Sequence, residues 1–354
     1  MTRARSAACA AGILALAVAG AAHAEPLDPA LERLVLDPSC RAVDGPRCVP
    51  DVAAWKKLVS ELGFAFAPSA PHPARALGYG EMEFALDVTV ARIGDESRHV
   101  RVGTQGPLDS ASGGAAESHE DPPALVQLYS VRVRKGLGFG FELSGSFGAM
   151  PESSSMSAGA DLRLALLEGF RTGPLGYLPD VAVGAGVRRV FGSPQLALTV
   201  AAVDGRVSKP VRLPGRGVIT PWIGYQHLWM IADPVLVDLT PGRNAHDECG
   251  YVGDDTPLTP DPEEPAGDGY PVCAVDDEAA GRDFANTVMV DDVKLERHRL
   301  LLGAEYRYDR WKAALQLAAD LVPPASAQSS VRDDRDLEGV GRRWALALEL
   351  GVRF

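Results

Sequence analysis

Little in this chain marks a helical membrane protein, a nucleotide-dependent enzyme or a nucleic-acid binder. Beyond the first two dozen residues no apolar run is long enough to cross a bilayer as a helix, which takes about 20 residues. No G-x-x-x-x-G-K-[ST] loop is present to cradle phosphates, and no G-x-S-x-G elbow to expose a serine nucleophile. Basic residues do not outnumber acidic ones. The formal charge is −12, which excludes the basic footprint that nucleic acid requires. Cysteine is scarce, five in 354 residues, and no C-x-x-C pair offers a zinc or redox site. Nothing calls for a cofactor.

What is present starts with an export signal. Arg3 and Arg5 precede an apolar run from about Ala7 to Ala19, and Ala22-His23-Ala24 forms an A-x-A cleavage site. Residues 1–24 are expected to be a signal peptide, and Cys9 is lost with them. The remaining Cys40, Cys48, Cys249 and Cys273 are an even set in an exported chain, which favours disulfides. Proximity suggests Cys40–Cys48 and Cys249–Cys273, with three pairings open.

Charge is concentrated in one place. Residues 233–292 carry 16 acidic and two basic side chains, so this segment alone holds the net charge of the mature chain. Its Asp254, Asp255, Asp261, Glu263 and Glu264 are dense enough to attract Ca²⁺, but they lack EF-hand spacing. A proline-rich, solvated loop stapled by a disulfide is the simpler reading, so no metal site is expected.

Residues 25–75 read as a short helical lead-in. Asp28 is placed to cap a helix through about Leu36, and Asp51 a second one with Val52, Trp55, Leu58, Val59 and Leu62 near one face. Pro68, Pro71 and Pro73 then make a linker.

From Tyr79 the period changes to two. Met82, Phe84, Leu86, Val88 and Val90 alternate with Glu83, Ala85, Asp87, Thr89 and Ala91, so one strand face is greasy and the other polar. The pattern recurs over 129–134, 139–147, 161–166, 181–188, 196–202, 219–229, 299–308, 311–321 and 344–354. In 196–202 the greasy face is read as Leu196, Leu198, Val200 and Ala202. The stretch after 219 is less clean, because Trp222, Leu228 and Met230 fall on the polar face. Of the links between the ten strands, the two longest, 94–123 and 233–292, are the first and seventh, and the shortest turns, at Gly136 and at Asp309-Arg310, are the second and eighth.

The last strand alternates strictly from Trp344 to Phe354 and stops on an aromatic. It resembles the closing strand of bacterial outer-membrane β-barrels, which typically end in Phe. That resemblance implies an all-β, antiparallel, up-and-down transmembrane barrel of about ten strands, with eight to twelve as bounds, over residues 76–354. It also implies the outer membrane of a Gram-negative bacterium, contact with lipid, and recognition of the C-terminal strand by the barrel-assembly machinery. Long loops face outward in such barrels, so both mature termini are expected in the periplasm, with 25–75 a periplasmic lead-in or plug.

Inside such a barrel, Glu83, Asp87, Arg132, Arg134, Glu142, Asp161, Arg163, Arg188, Glu305, Arg307, Lys312, Asp320 and Glu349 would line the lumen. Tyr79, Phe139, Tyr306, Tyr308, Trp311, Trp344 and Phe354 would form interfacial girdles. The expected function is porin-like passage of small solutes. The alternative is a non-conducting surface barrel, adhesive or part of an envelope complex, that meets an envelope or extracellular protein through 233–292. No enzyme is expected, although rim residues His227 and His298 could serve a hydrolase.

Overall fold

The computed structural model describes residues 25–41, 48–107, 118–169, 177–215, 217–241, 250–252, 270–272, 287–328 and 334–354. Its strands, in chain order, are β1 (Met82–Arg92), β2 (Leu125–Gly136), β3 (Phe141–Ala149), β4 (Met156–Leu167), β5 (Asp180–Phe191), β6 (Leu198–Ser208), β7 (Val211–Leu213), β8 (Gly217–Ala232), β9 (Val235–Asp238), β10 (Gly250–Val252), β11 (Tyr270–Val272), β12 (Thr287–Val290), β13 (Val293–Tyr308), β14 (Trp311–Asp320) and β15 (Trp344–Arg353).

Ten of these, β1–β6, β8 and β13–β15, form a closed antiparallel ring. Each pairs with the next, and β15 closes on β1 from Glu83 opposite Arg353 to Ala91 opposite Ala345. The short β7 is an extra strand on β8, while β9–β12 and β10–β11 are two-stranded ribbons in the acidic link. Closure leaves no open edge, which is the condition for placing a sheet in hydrocarbon. Alternation sorts the side chains: Leu86 is 64% exposed on the outside, and its neighbour Asp87 is 2% exposed on the inside.

The described residues of the links 93–124, 150–155, 192–197, 233–292 and 321–343 lie at one end of the ring. Met82 and Phe354 lie at the other, where Phe354 N–H donates to Met82 O at 2.8 Å. Two turns at this second end are tight. Phe139 and Gly140 (φ 60° and 78°) reverse the chain between β2 and β3, and Asp309 (φ 50°) does so between β13 and β14.

The described residues before β1 fill the interior and cover one mouth. Residues 25–41 and 48–51 lie across the end with the long links, with Leu27 N–H donating to Glu152 O at 2.8 Å and Ala30 N–H to Gly103 O at 2.9 Å. Helix α1 (Val52–Phe66) follows, capped by Asp51, whose carboxylate accepts from Ala54 N–H at 2.9 Å. Its Trp55, Leu58, Val59, Leu62 and Phe64 share a buried core with Leu198, Val200, Leu228, Met230 and Leu295 of the wall. Gly63 permits the approach, because a Cβ there would lie 2.6 Å from Met230 Sδ. Residues 67–78 then run extended through the ring to the start of β1.

Three expectations change. Glu25 and Phe354 lie at opposite ends, not together. An even strand count does bring Met82 and Phe354 to one end, but the preceding segment traverses the lumen. The helix expected over 28–36 shrinks to a single 3-10 turn, Leu31–Arg33. Asp28 instead accepts from Ser154 N–H and Ser153 Oγ–H, both at 2.8 Å, and a helix of that length has little stability of its own. Finally, Leu198, Val200 and Ala202 face inward, because β6 presents its apolar residues to α1 rather than outward.

Candidate functional site

The lumen gathers most of the chemistry. Near the Phe354 end, Arg134 binds Glu83 at 2.6 Å and Glu142 at 2.9 Å, Lys312 lies 2.5 Å from Glu83 and contacts Glu349, and Arg307 binds Glu305 at 2.8 Å. Midway, Arg132 meets Asp87 at 2.8 Å and Glu349 at 3.2 Å, Arg188 meets Asp161 at 2.8 Å, and Arg206 and Arg163 share Asp204 at 2.7 and 3.3 Å. Toward the long links, Arg297 binds Asp320 at 2.7 Å. Burying these charges is costly, and pairing offsets that cost. Glycines make room for them: a Cβ at Gly186 would lie 2.2 Å from Asp161 Oδ1, and one at Gly159 would lie 2.5 Å from Arg188 Cδ.

The second component is Pro68-Ser69-Ala70-Pro71-His72-Pro73. Its three prolines have no N–H, so this stretch offers carbonyls and few donors. The wall supplies the reverse. Arg206 Nη1 donates to His72 O at 2.7 Å and also reaches Ala70 O. Gln226 Nε2 and Arg299 Nη2 donate to Pro68 O at 3.1 and 3.2 Å, and Arg132 donates to Ser69 O. Beyond the prolines, Ala74 N–H donates to Ser208 Oγ at 3.1 Å and Leu77 N–H to Glu142 Oε2 at 2.9 Å. Hydrogen bonds to charged groups contribute about 1.5–3 kcal/mol each. The space left among Pro68, His72, Asp161 and Arg163 is about 10 Å³, on the order of one water.

Electrostatics of the filling segment follow from the wall. Burial opposes ionisation of Glu61 on α1, but the neighbouring His99, hydrogen bonds from Arg343 and the charges of Arg297 and Arg343 outweigh it and lower its carboxyl to about 2.

The lumen residues expected from sequence, Glu83 through Glu349, all sit on the inner face of the ring; Arg307 and Asp161 keep the most exposure, with side chains 24% and 15% accessible. Not singled out were Asp204, Arg206, Arg297, Arg299 and Gln226, which hold the filling segment or its neighbours. The signal existed: Asp204, Arg206 and Ser208 continue the alternation of β6 past Ala202. Tyr79, Phe139, Tyr308, Trp311 and Phe354 are exposed at the Phe354 end, with Tyr306 just above them, and Trp344 lies at the other. Cys40 and Cys48 form a disulfide. Cys249, Cys273 and the acidic Asp254, Asp255, Asp261, Glu263 and Glu264 lie outside the described residues. His227 and His298 sit side by side on the outer wall, paired across β8 and β13.

The outside is the inverse of the inside. Phe84, Tyr129, Leu162, Ile223, Leu315 and Leu350 are among many large apolar side chains left exposed around the ring. Water does not tolerate such a continuous belt, whereas lipid requires it. The architecture is that of an outer-membrane β-barrel.

No family model and no curated protein matches this sequence. Among solved structures, the chain is similar to Ail, the attachment invasion locus protein of Yersinia pestis, in complex with the heparin analogue sucrose octasulfate (8% identity, 78% of this chain, 100% of that one, TM-score 0.23). A Pseudomonas aeruginosa FadL homologue follows (8% identity, 82% and 95%, TM-score 0.23), then CdiB from Acinetobacter baumannii (12% identity, 77% and 60%, TM-score 0.20). Likeness at this level specifies neither ligand nor partner.

Proposed function

We propose that this chain is a Gram-negative outer-membrane barrel closed by its own N-terminal segment, and that its working surface is the loop-bearing end. The observation that carries this is the lumen: α1 and residues 67–78 fill it, and wall arginines satisfy the carbonyls of the proline stretch. The longest links at one end suit the cell exterior, and the tightest turns, at the same end as Phe354, suit the periplasm. Residues 25–41 and 48–51 then cap the outer mouth next to the acidic link, where an envelope or extracellular protein would meet both. Lipid surrounds the wall, the assembly machinery reads β15, and no enzymatic step is part of this reading.

Gated passage of small solutes is the second reading. It is favoured by the way 68–78 is held, through hydrogen bonds that water could replace rather than through a dry core. A cavity of about 70 Å³ at the Phe354 end, lined in part by Arg75, Glu305, Arg307 and Arg353, would be its inner vestibule. Planar-bilayer recordings separate the two. The closed-barrel reading expects no steady conductance from the full chain and open channels once residues 25–78 are deleted. Steady conductance from the full chain would refute it.

A further inference from the structure

The outer wall carries a cluster that the lumen does not use. His227 on β8 and His298 on β13 are directly opposite each other, and Glu296 lies two residues along β13 on the same face. Their ligand atoms, one from each residue, lie within 4.8 Å of one another. We propose that His227, Glu296 and His298 form a site for a divalent transition-metal ion of the zinc type on the outside of the barrel, close to its loop-bearing rim.

Two imidazoles and a carboxylate are a donor set that suits zinc, with a fourth position left for water or an exogenous oxygen. The surroundings orient the donors. Tyr225 Oη lies 2.6 Å from His298 Nδ1. With Nδ1–H donating to that oxygen, Nε2 is left unprotonated, the state a metal ligand needs. His227 Nε2 is buried, lies 3.3 Å from Glu296 Oε2, and has no hydrogen-bond partner among the described residues. Such an atom is unfavourable unless something fills its lone pair or takes its proton. Trp229 stacks on the His227 ring at 4.2 Å and limits its rotation. Gln328 clamps the Glu296 backbone, accepting from its N–H and donating to its C=O, both at 2.9 Å. Neither the rings nor the carboxylate backbone would need to move far to close on an ion.

The test uses the full chain without a histidine tag, stripped with chelator and titrated with Zn²⁺ in detergent by calorimetry. One equivalent should bind, and His227→Ala and His298→Ala should each weaken it at least ~10-fold, with Tyr225→Phe weakening it by roughly 10-fold through loss of orientation. His119→Ala, in the β1–β2 link, should change nothing. Each variant is compared with the wild type for the compact unheated form on gels. Zn²⁺ should also protect His227 and His298 of the wild-type barrel from diethyl pyrocarbonate, read by mass spectrometry, which needs no variant. No saturable binding, binding unchanged in the His227→Ala/His298→Ala double variant, or no protection of these two rings would overturn the proposal.

Discussion

Acid should loosen the filling helix through one carboxylate. Glu61 is buried on α1, where Arg343 Nε donates to Oε2 at 2.8 Å and Nη2 to Oε1 at 2.7 Å, with His99 Nε2 3.8 Å away. Its carboxyl titrates near 2 in the folded chain against an ordinary 4.5. A lowered value stabilises the fold above about pH 4.5, and that contribution fades as the pH falls toward 2. At pH 3 the loss is about 2 kcal/mol, or roughly 30-fold in the opening equilibrium of α1. Hydrogen exchange of residues 52–66, followed by mass spectrometry between pH 6 and pH 3 and corrected for intrinsic rates, reads that opening directly. Glu61→Gln should raise opening at pH 6 and lack the Glu61-dependent part of the acid response. If Glu61→Gln and the wild type lose protection in parallel between pH 6 and pH 3, the pairing of Glu61 with Arg343 does not anchor the helix.

Other substitutions test other parts of the account. Arg206→Met removes the donor to Ala70 O and His72 O, and should speed exchange across 68–78 by the equivalent of about 3 kcal/mol while leaving strand protection intact. Gly63→Val should push α1 off Met230 and destabilise its docking by about 1–3 kcal/mol, seen as faster exchange in α1 alone. Leu86→Arg places a charge mid-strand on the lipid face and should cost about 2–4 kcal/mol in folding equilibria into lipid vesicles. A cost near zero would mean that this face does not meet lipid.

The strand pattern was legible because lipid outside and charge inside impose a strict period of two, as in β1 and β15. Link parity was legible for the same topological reason. What the alternation could not show was an interior that changes character along its length. Where α1 docks, Leu198, Val200, Leu228 and Met230 face inward, so a rule of greasy residues outside inverted β6 and made β8 look irregular. That inversion hid Asp204 and Arg206, which share the inner face with Val200 and Ala202. The proline stretch read as a linker because prolines break regular structure. In the lumen the same missing N–H groups suit it to a wall of arginines. The place of Glu25 depends on a traverse of the lumen, which leaves no local mark in the residues that make it.

The central claim is that residues 52–78 lie within the ring, and a cross-link reports this most directly. Ser69 Oγ and Thr89 Oγ1 are 3.0 Å apart, one on the filling segment and one on the inner face of β1. In a Ser69→Cys/Thr89→Cys chain assembled in cells, the account predicts a disulfide between the two positions, found as a linked peptide pair by mass spectrometry of isolated outer membranes. Two free thiols at these positions, both open to a small membrane-impermeant thiol reagent, would contradict it.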